Sequence, residues 1–482
     1  MSTEQPASGI LRSMPWPAAE AATALMTGAV SMFVIARLIG ADEFGRGAIG
    51  LGIILIMQVG VNSLVHDALV RMPDLQQEDV DTGFTASLAL AIVFMVLTVL
   101  AAPFLGRFYD DSRLTWLILG FVPLLPLAAL SETMIATCRR SLDFRTVAMN
   151  QIGGRITGSV LGIAAALLHA GAWSLVIQSV TMAGYVTIAM LLRVRRPGFR
   201  VSWQRLSPML GFCAPIISSQ VMMQGTSRLL LLAVGHWHGL AVAGYWSAAT
   251  RIAENLFGGL MQAAYNVGLA HFSLRQTARD ALLVNLRIVQ SVTAILAVPA
   301  LVALAVAARP LILLLLGPSW EAVATLMPGP LLVCFLQIRR MFPTTALRAV
   351  GRSGVSLISS TVEFVVMAAA FITFGRQSML ALNIIYPLGI LAGSLPIFAL
   401  LVGELRASAW VQLLVFGREV LIGLAGFAAG SAVLTAVEGR GLIAELLAGG
   451  GAAFGTALLL LVLSDARKMM RITGLARKPQ AR

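Results

Sequence analysis

Apolar runs of about twenty residues, the length that crosses a hydrocarbon core as an α-helix, recur about fourteen times along the chain. They begin near Ala18, Arg46, Thr82, Leu114, Thr146, Ala172, Leu206, Leu240, Val284, Ala322, Val355, Met379, Val415 and Gly441. Short spacers separate them. The pattern predicts an all-α polytopic membrane protein with no soluble domain and no extramembrane loop large enough for catalysis.

Several runs carry a polar stripe at helical spacing. In residues 244–266, Ser247, Arg251, Glu254, Asn255, Gly258, Gln262 and Asn266 recur every three or four positions and share one face. Arg251 falls about 15 Å into that span, so it must face a bundle interior or a watery cavity. The first span carries Glu20, Thr23, Thr27 and Ser31, and the second Gln58, Asn62 and His66 beside Asp67. The fifth carries Gln151, Arg155, Gly158 and Gly162, and the seventh Gln220, Gln224, Ser227 and Arg228. The tenth has Gln337, Arg340, Thr344 and Arg348, and the eleventh Ser356, Ser359 and Glu363. The third, sixth, ninth, thirteenth and fourteenth spans read as nearly free of buried charge. A bundle with some helices lining a hydrated space and others facing lipid has this distribution.

Structural readings stand beside each candidate. Arg251 and Glu254, three residues apart, also fit a mutually neutralising packing pair. Arg339 and Arg340 lie where snorkelling to headgroups would serve equally. His66 and Asp67 approach a span end, where solvation explains them. Gly153-Gly154 and Gly258-Gly259 read as close helix packing, and Asp110-Asp111 as a solvated loop.

Composition narrows the classes. The chain has 482 residues, 58% hydrophobic and only 12% charged, with a net charge of +13 and a mean hydropathy of +0.86. The arginines sit mostly in short loops on one side of the spans, roughly three to one, which places both termini in the cytoplasm and removes nucleic acid as an explanation of the charge. Cys138, Cys213 and Cys334 have no ligand spacing, and His236 and His238 have no third ligand, so no disulfide, metal or cofactor is expected. The only lysines, Lys468 and Lys478, exclude a phosphate-cradling GxxxxGK[ST] loop, and no H-E-x-x-H or G-x-S-x-G element occurs. An enzyme is not expected. The N-terminus fits a cleaved signal peptide poorly, so the first span is expected to be retained.

A weak internal repeat runs at a spacing of about two hundred residues. ARLIGADEFGRGAIG from Ala36 echoes VGHWHGLAVAGYWSA from Val234, and CRRSLDFR from Cys138 echoes LRAVGRSG from Leu347.

Six segments in order, ARLIGADEFG, CRRSLDFRTVAMNQ, GAWSLVIQS, AGYWSAATRI, LLLLGPSWEAV and LRAVGRSG, give the chain a resemblance to the polysaccharide transporter family. These are the lipid-linked oligosaccharide flippases of the multidrug/oligosaccharidyl-lipid/polysaccharide exporter superfamily. The resemblance implies two six-helix lobes, residues 1–205 and 206–410, around a central cavity, with two further helices and a basic cytoplasmic tail in 411–482. It implies a multi-pass flippase of the bacterial cytoplasmic membrane. The implied cargo is a polyprenyl-pyrophosphate-linked oligosaccharide, whose tail the last two spans are expected to hold. The expected partners are that substrate, membrane lipid and a polysaccharide polymerase machinery, with the protein a monomer. Under this reading Arg251, Arg228, Arg155 and Arg340 meet phosphate oxygens. Glu254, Gln58, Asn62, Gln220, Gln224 and Gln262 complete the polar lining, and His66, Asp67, Glu20 and Glu363 are candidates for ion coupling. Arg228 stands about where family members often carry an acidic residue. The alternatives are an ion-coupled multidrug antiporter of the same superfamily and a membrane glycosyltransferase or polymerase.

Overall fold

The computed structural model describes residues 15–71, 76–194, 196–272, 279–349, 352, 354–405 and 408–476; over 63–71, 212–216, 259–272, 279–285 and 465–476, among others, it describes the backbone alone. Among the described residues every long element is a helix, and nine helical stretches are long and apolar enough to cross a membrane, ten if one bent pair counts as a single span. Each of the fourteen predicted starts lies on a helix or at the edge of one.

The chain divides into two compact units, Met1–Ala248 and Ala249–Arg482. In the first, α1 (Pro15–Arg71) is the hub: α2 (Gln77–Phe108), α3 (Ser112–Phe121), α4 (Leu124–Arg140), α5 (Phe144–Leu167), α6 (Trp173–Arg193) and α7 (Trp203–His238) all pack against it. Helix α8 (Leu240–Phe272) crosses the division between the units. The second unit continues with α9 (Arg279–Val306), the short α10 (Ala308–Leu315) and α11 (Glu321–Leu326), then α12 (Pro328–Ala349), α13 (Val355–Ala370), α14 (Leu382–Leu405), α15 (Ala409–Ala436) and α16 (Leu442–Ala476). There α9 packs against α12, α15 and α16, and α13 and α12 pack against α14.

Two glycines set where helices break. Gly40, at φ 81° and ψ 169°, bends α1 into two spans, and Gly239 separates α7 from α8 at φ 89° and ψ 167°. Only glycine adopts these angles without strain. At the same offset Gly45 and Gly244 form a reciprocal crossing. A Cβ on Gly45 would overlap the Leu240 carbonyl oxygen, and one on Gly244 would overlap that of Ala41. The repeat read from residues 36–50 and 234–248 therefore has a physical content: the same break and the same close approach, used from both sides.

Elsewhere small residues let the helices touch. On α5, Gly154, Gly158 and Gly162 lie against Val186, Met182 and Gln178 of α6, where a Cβ at Gly158 would come within 2.7 Å of the Gln178 carbonyl oxygen. Gly430 of α15 faces Ala453 and Gly449 of α16 in the same way. Outside these seams the helices present large apolar side chains, such as Val96, Leu100 and Phe104 of α2 and Leu421 and Leu463 of the last two helices. Hydrocarbon is the solvent these faces suit. The connection into α7 is fastened to the start of α2. Gly198 donates its N–H to Asp81 at 2.8 Å, Arg205 donates to Gln76 at 2.8 Å, and the Phe199 and Phe84 rings meet at 5.5 Å.

Buried charge corrects several expectations. The thirteenth span is not free of charge, since Glu419 is 1% exposed and pairs with Arg339, 3% exposed, at 3.2 Å. The fourteenth buries Glu445 in its first turn, where the carboxylate accepts the Gly439 N–H at 3.0 Å. Arg339 and Arg340 do not snorkel, because each has a carboxylate partner on a neighbouring helix within the unit. Partnering inside the bundle costs less than leaving the guanidinium in lipid. Nor is Asp111 part of a solvated loop. Its side chain is 13% exposed, caps α3 by accepting from the Arg113 N–H, and pairs with Arg46 at 2.5 Å. Asp42 and Glu43 close on Arg46 as well. At the same end the Tyr109 hydroxyl donates to the Leu232 carbonyl at 2.8 Å, and burial pushes this phenol above its ordinary range. Cys138 and Cys334 are free and buried, and the Cys213 side chain lies outside the described residues.

Two stability measurements follow. Gly45→Ala forces the crossing apart and is expected to cost about 1–3 kcal/mol. Gly455→Ala, with nothing within 4 Å of the added Cβ, leaves the melting midpoint of purified protein unchanged or slightly higher; equal behaviour of the two would show that the close approach does not constrain the fold. Glu419→Leu strands a buried guanidinium and is expected to destabilise by about 3–5 kcal/mol, whereas Arg339→Met with Glu419→Leu recovers most of the loss. Additive losses in the double variant would contradict the pairing.

Candidate functional site

In the first unit the polar stripes divide into groups that are satisfied locally and groups that are not. The first-span hydroxyls are satisfied. Thr23 and Thr27 bond back to the carbonyls of Ala19 and Thr23, and Ser31 accepts from Gln178 of α6 at 2.8 Å. The two threonines are thus satisfied within their own helix, and Ser31 alone joins the first span to α6. Arg155 differs. It projects from α5 beside the glycine seam, its Nε is buried with no hydrogen-bond acceptor, and the carboxylate of Glu20 lies within electrostatic range. Asn62, on the second half of α1, likewise has a buried Oδ1 with no donor. Gln58 and Gln220 are half-buried and Gln224 is exposed. The Gln224 carbonyl accepts from Ser227 at 3.1 Å. Arg228 is half-buried on α7.

In the second unit charge is concentrated where α12, α13 and α14 meet. Arg340 donates to Glu363 at 2.5 Å, with side-chain exposures of 13% and 4%. The pair is wedged beside Gly393 of α14, where a Cβ would meet the Glu363 Cβ at 2.9 Å and the Ser359 carbonyl oxygen at 2.8 Å. Ser359 donates to the Gly393 carbonyl and closes that seam. Tyr386, buried on α14, lies within electrostatic range of Glu254, Glu363 and Arg340, and Glu254 also reaches Cys334. Arg251 and Glu254 each have interaction partners. The second unit thus gathers Glu254, Arg340 and Glu363 around one tyrosine, a cluster that no helical periodicity in a single span discloses. Arg339 with Glu419 was also outside the sequence reading, because the two residues are eighty positions apart and their spans look unrelated. The side chains of Gln262, His66 and Asp67 lie outside the described residues.

Among the described residues no group of three or more His, Cys, Asp or Glu is placed to hold a metal ion. His236 stacks on Phe108 with ring centroids 3.8 Å apart, and its Nδ1 lies 3.0 Å from the Phe108 carbonyl oxygen. That histidine is a packing element.

Comparisons with known proteins agree with this architecture. A family model described as "Polysaccharide biosynthesis protein" matches residues 34–325. The chain is 26% identical over 294 residues to the succinoglycan biosynthesis transport protein ExoT of Rhizobium meliloti (strain 1021), over 60% of this chain and 59% of ExoT. It is 24% identical over 335 residues to the lipopolysaccharide biosynthesis protein WzxC of Escherichia coli (strain K12), over 67% of this chain and 66% of WzxC. The match spans less than two thirds of either relative. Among solved structures, the lipid II flippase MurJ in an inward closed conformation superposes with a TM-score of 0.72 at 11% identity, covering 92% of this chain and 99% of MurJ. An inward-facing multidrug resistance MATE transporter of the MOP superfamily superposes with a TM-score of 0.57 at 17% identity, over 79% of this chain and 94% of that one. At such identities the likeness establishes the fold. A multi-pass, all-helical chain built on the fold shared by these transporters, with a family match over more than half its length, this protein belongs to the polysaccharide biosynthesis protein family.

Proposed function

We propose that the protein is a flippase that carries a polyprenyl-pyrophosphate-linked oligosaccharide from the cytoplasmic to the far leaflet of the cytoplasmic membrane by alternating access. The observation that carries this reading is Arg155: a guanidinium midway along α5, the fifth span that the sequence predicts, with a buried Nε donor that no protein acceptor uses. A charged headgroup cannot cross hydrocarbon unaided, and a guanidinium fork is the side chain best matched to phosphate oxygens. ExoT is named a succinoglycan transport protein, WzxC a lipopolysaccharide biosynthesis protein and MurJ a lipid II flippase; cargoes of that class suit the same chemistry.

In this account Arg155, Arg228, Arg251 and Arg340 serve the anionic head, Glu254, Gln58, Asn62, Gln220, Gln224 and Gln262 its hydroxyls, and the last two spans the polyprenyl tail. Arg340 enters with its charge already met by Glu363. Protonation of Glu363 would release it; Glu20, within electrostatic range of Arg155, and His66 and Asp67 are the remaining coupling candidates. The protein acts as a monomer with both termini cytoplasmic, hands its cargo to a polymerase machinery and performs no covalent chemistry. A second reading, an ion-coupled multidrug antiporter, is favoured by the MATE-like fold. The intramembrane arginines oppose it, since cationic drugs call for unpaired carboxylates.

The test is Arg155→Ala in cells with normal amounts of the protein in the membrane. Export is expected to fall by about tenfold or more, the equivalent of one charge-assisted hydrogen bond, with lipid-linked sugar accumulating on the cytoplasmic leaflet. Unchanged export removes Arg155 from the path. Glu363→Gln is expected to uncouple export from the ion gradient while leaving headgroup binding intact; a variant that loses binding and keeps coupling would reverse the assigned roles.

A further inference from the structure

The end of the first unit that carries Arg46 and Asp111, opposite the arginine-rich side, holds a cavity of about 560 Å³ that the transport reading does not use. Trp116 and Trp173 line it, 65% and 42% exposed, together with Arg113, His169, Glu43 and Arg46. Its size falls in the range of small-molecule sites, about 300–1,000 Å³.

The walls are held in place. Glu43 pairs with Arg46 through Oε1, and its Oε2 accepts the Ala172 N–H at 3.0 Å. That bond ties the turn between α5 and α6 to the second half of α1. The turn passes through His169 at φ 60° and Gly171 at φ 56°, and a Cβ on Gly171 would sit 2.9 Å from the Glu43 carboxylate. Helix α6 then opens with Trp173, whose ring lies against the backbone of Gly120; a Cβ there would meet the ring at 2.7 Å. A rigid wall lowers the ordering cost of binding.

The electrostatics select the ligand. Arg46 is enclosed by Asp42, Glu43 and Asp111, and Arg113 stands 3.8 Å from Glu43. Two cations are met by three carboxylates, so the cavity has no surplus positive charge to attract a phosphate. What remains is aromatic surface beside groups that both donate and accept hydrogen bonds. That combination fits an uncharged ring with an apolar C–H face and a hydroxyl edge.

We propose that this cavity is a carbohydrate subsite that takes one or two neutral sugar residues, with Trp116 and Trp173 supplying the stacking surface and Glu43, Arg113 and His169 the hydroxyl partners. The proposal rests on the flippase reading for the source of the sugar: the head of the precursor after it has crossed, held at the exit before release. It names a second position on the path, separate from the intramembrane arginines.

The experiment uses the full chain in phosphatidylcholine nanodiscs, titrated with maltose, cellobiose and lactose and followed by tryptophan fluorescence and saturation-transfer NMR. Saturable binding of at least one disaccharide is expected, weakened about tenfold or more in Trp116→Ala. Trp116→Phe, which keeps a ring, is expected to recover most of it. Trp116 is exposed, so its removal spares the core, and Trp410→Ala, an equally exposed tryptophan of the second unit, serves as the control with unchanged binding. Absence of saturable binding for all three sugars, or equal binding by Trp116→Ala, overturns the proposal. So does a fluorescence response to phosphatidylglycerol without one to sugar, which would make the two rings a headgroup belt. Loss of export in Arg155→Ala alongside absent sugar binding would leave the flippase reading standing and remove the subsite alone. Sugar binding with export untouched by Arg155→Ala would keep the subsite and remove Arg155 from the path.

Discussion

The cost of an unmatched charge in hydrocarbon governs this molecule. Every guanidinium carried on an apolar helix must find a carboxylate, a hydrogen-bond acceptor or water, and the ways it does so separate scaffold from site. Arg46 is ringed by three carboxylates, and Arg339 is buried against Glu419. Arg340 is matched one-to-one by Glu363 in a seam that glycine keeps narrow. Among the described arginines of the first unit Arg155 is the exception: its acidic neighbour lies in range, but its Nε has no acceptor; Arg339 of the second unit also leaves its Nε open, yet its charge is met by Glu419. A donor left open on a membrane-spanning helix is costly unless something else uses it. That open donor is why Arg155 carries the functional argument and Arg46, with more contacts, does not.

Glycine does the complementary work of bringing backbones close without polar glue. The Gly40–Gly45 and Gly239–Gly244 pairs place one break and one contact at equivalent points of two repeated segments, so the crossing is built from the same local rule read twice. The α5 and α6 seam follows the small-residue logic of membrane helices. It also fixes the face from which Arg155 emerges, so helix packing and the candidate site are set by adjacent residues of one heptad.

Much of this was legible in the sequence, because the bilayer imposes a length on every span and glycine breaks are local. The helix class, the positions of the long helices and the echo between residues 36–50 and 234–248 follow from patterns within one stretch. What the sequence could not disclose were pairings between distant spans. Glu419 sits in a run so apolar that it reads as lipid-facing, and only the neighbouring Arg339 explains it. Asp111 reads as a loop acid until Arg46 is placed beside it. The Glu254, Glu363 and Tyr386 grouping joins three helices, and helical periodicity speaks for one helix at a time. Arg155 was visible as a charge without an acid in its own span. That its nearest acid is Glu20, on the first helix, required the packing of α1 against α5.

The central claim is that an intramembrane cation, left partly open by the fold, recognises the anionic head of a lipid-linked cargo. The most direct measurement is native mass spectrometry of the purified protein offered equal amounts of a polyprenyl pyrophosphate and the corresponding polyprenol. The account predicts that the wild type retains the pyrophosphate in preference to the alcohol and that Arg155→Ala abolishes the preference while still binding both tails. Equal retention of the two lipids by the wild type, or an undiminished preference in the variant, would contradict it.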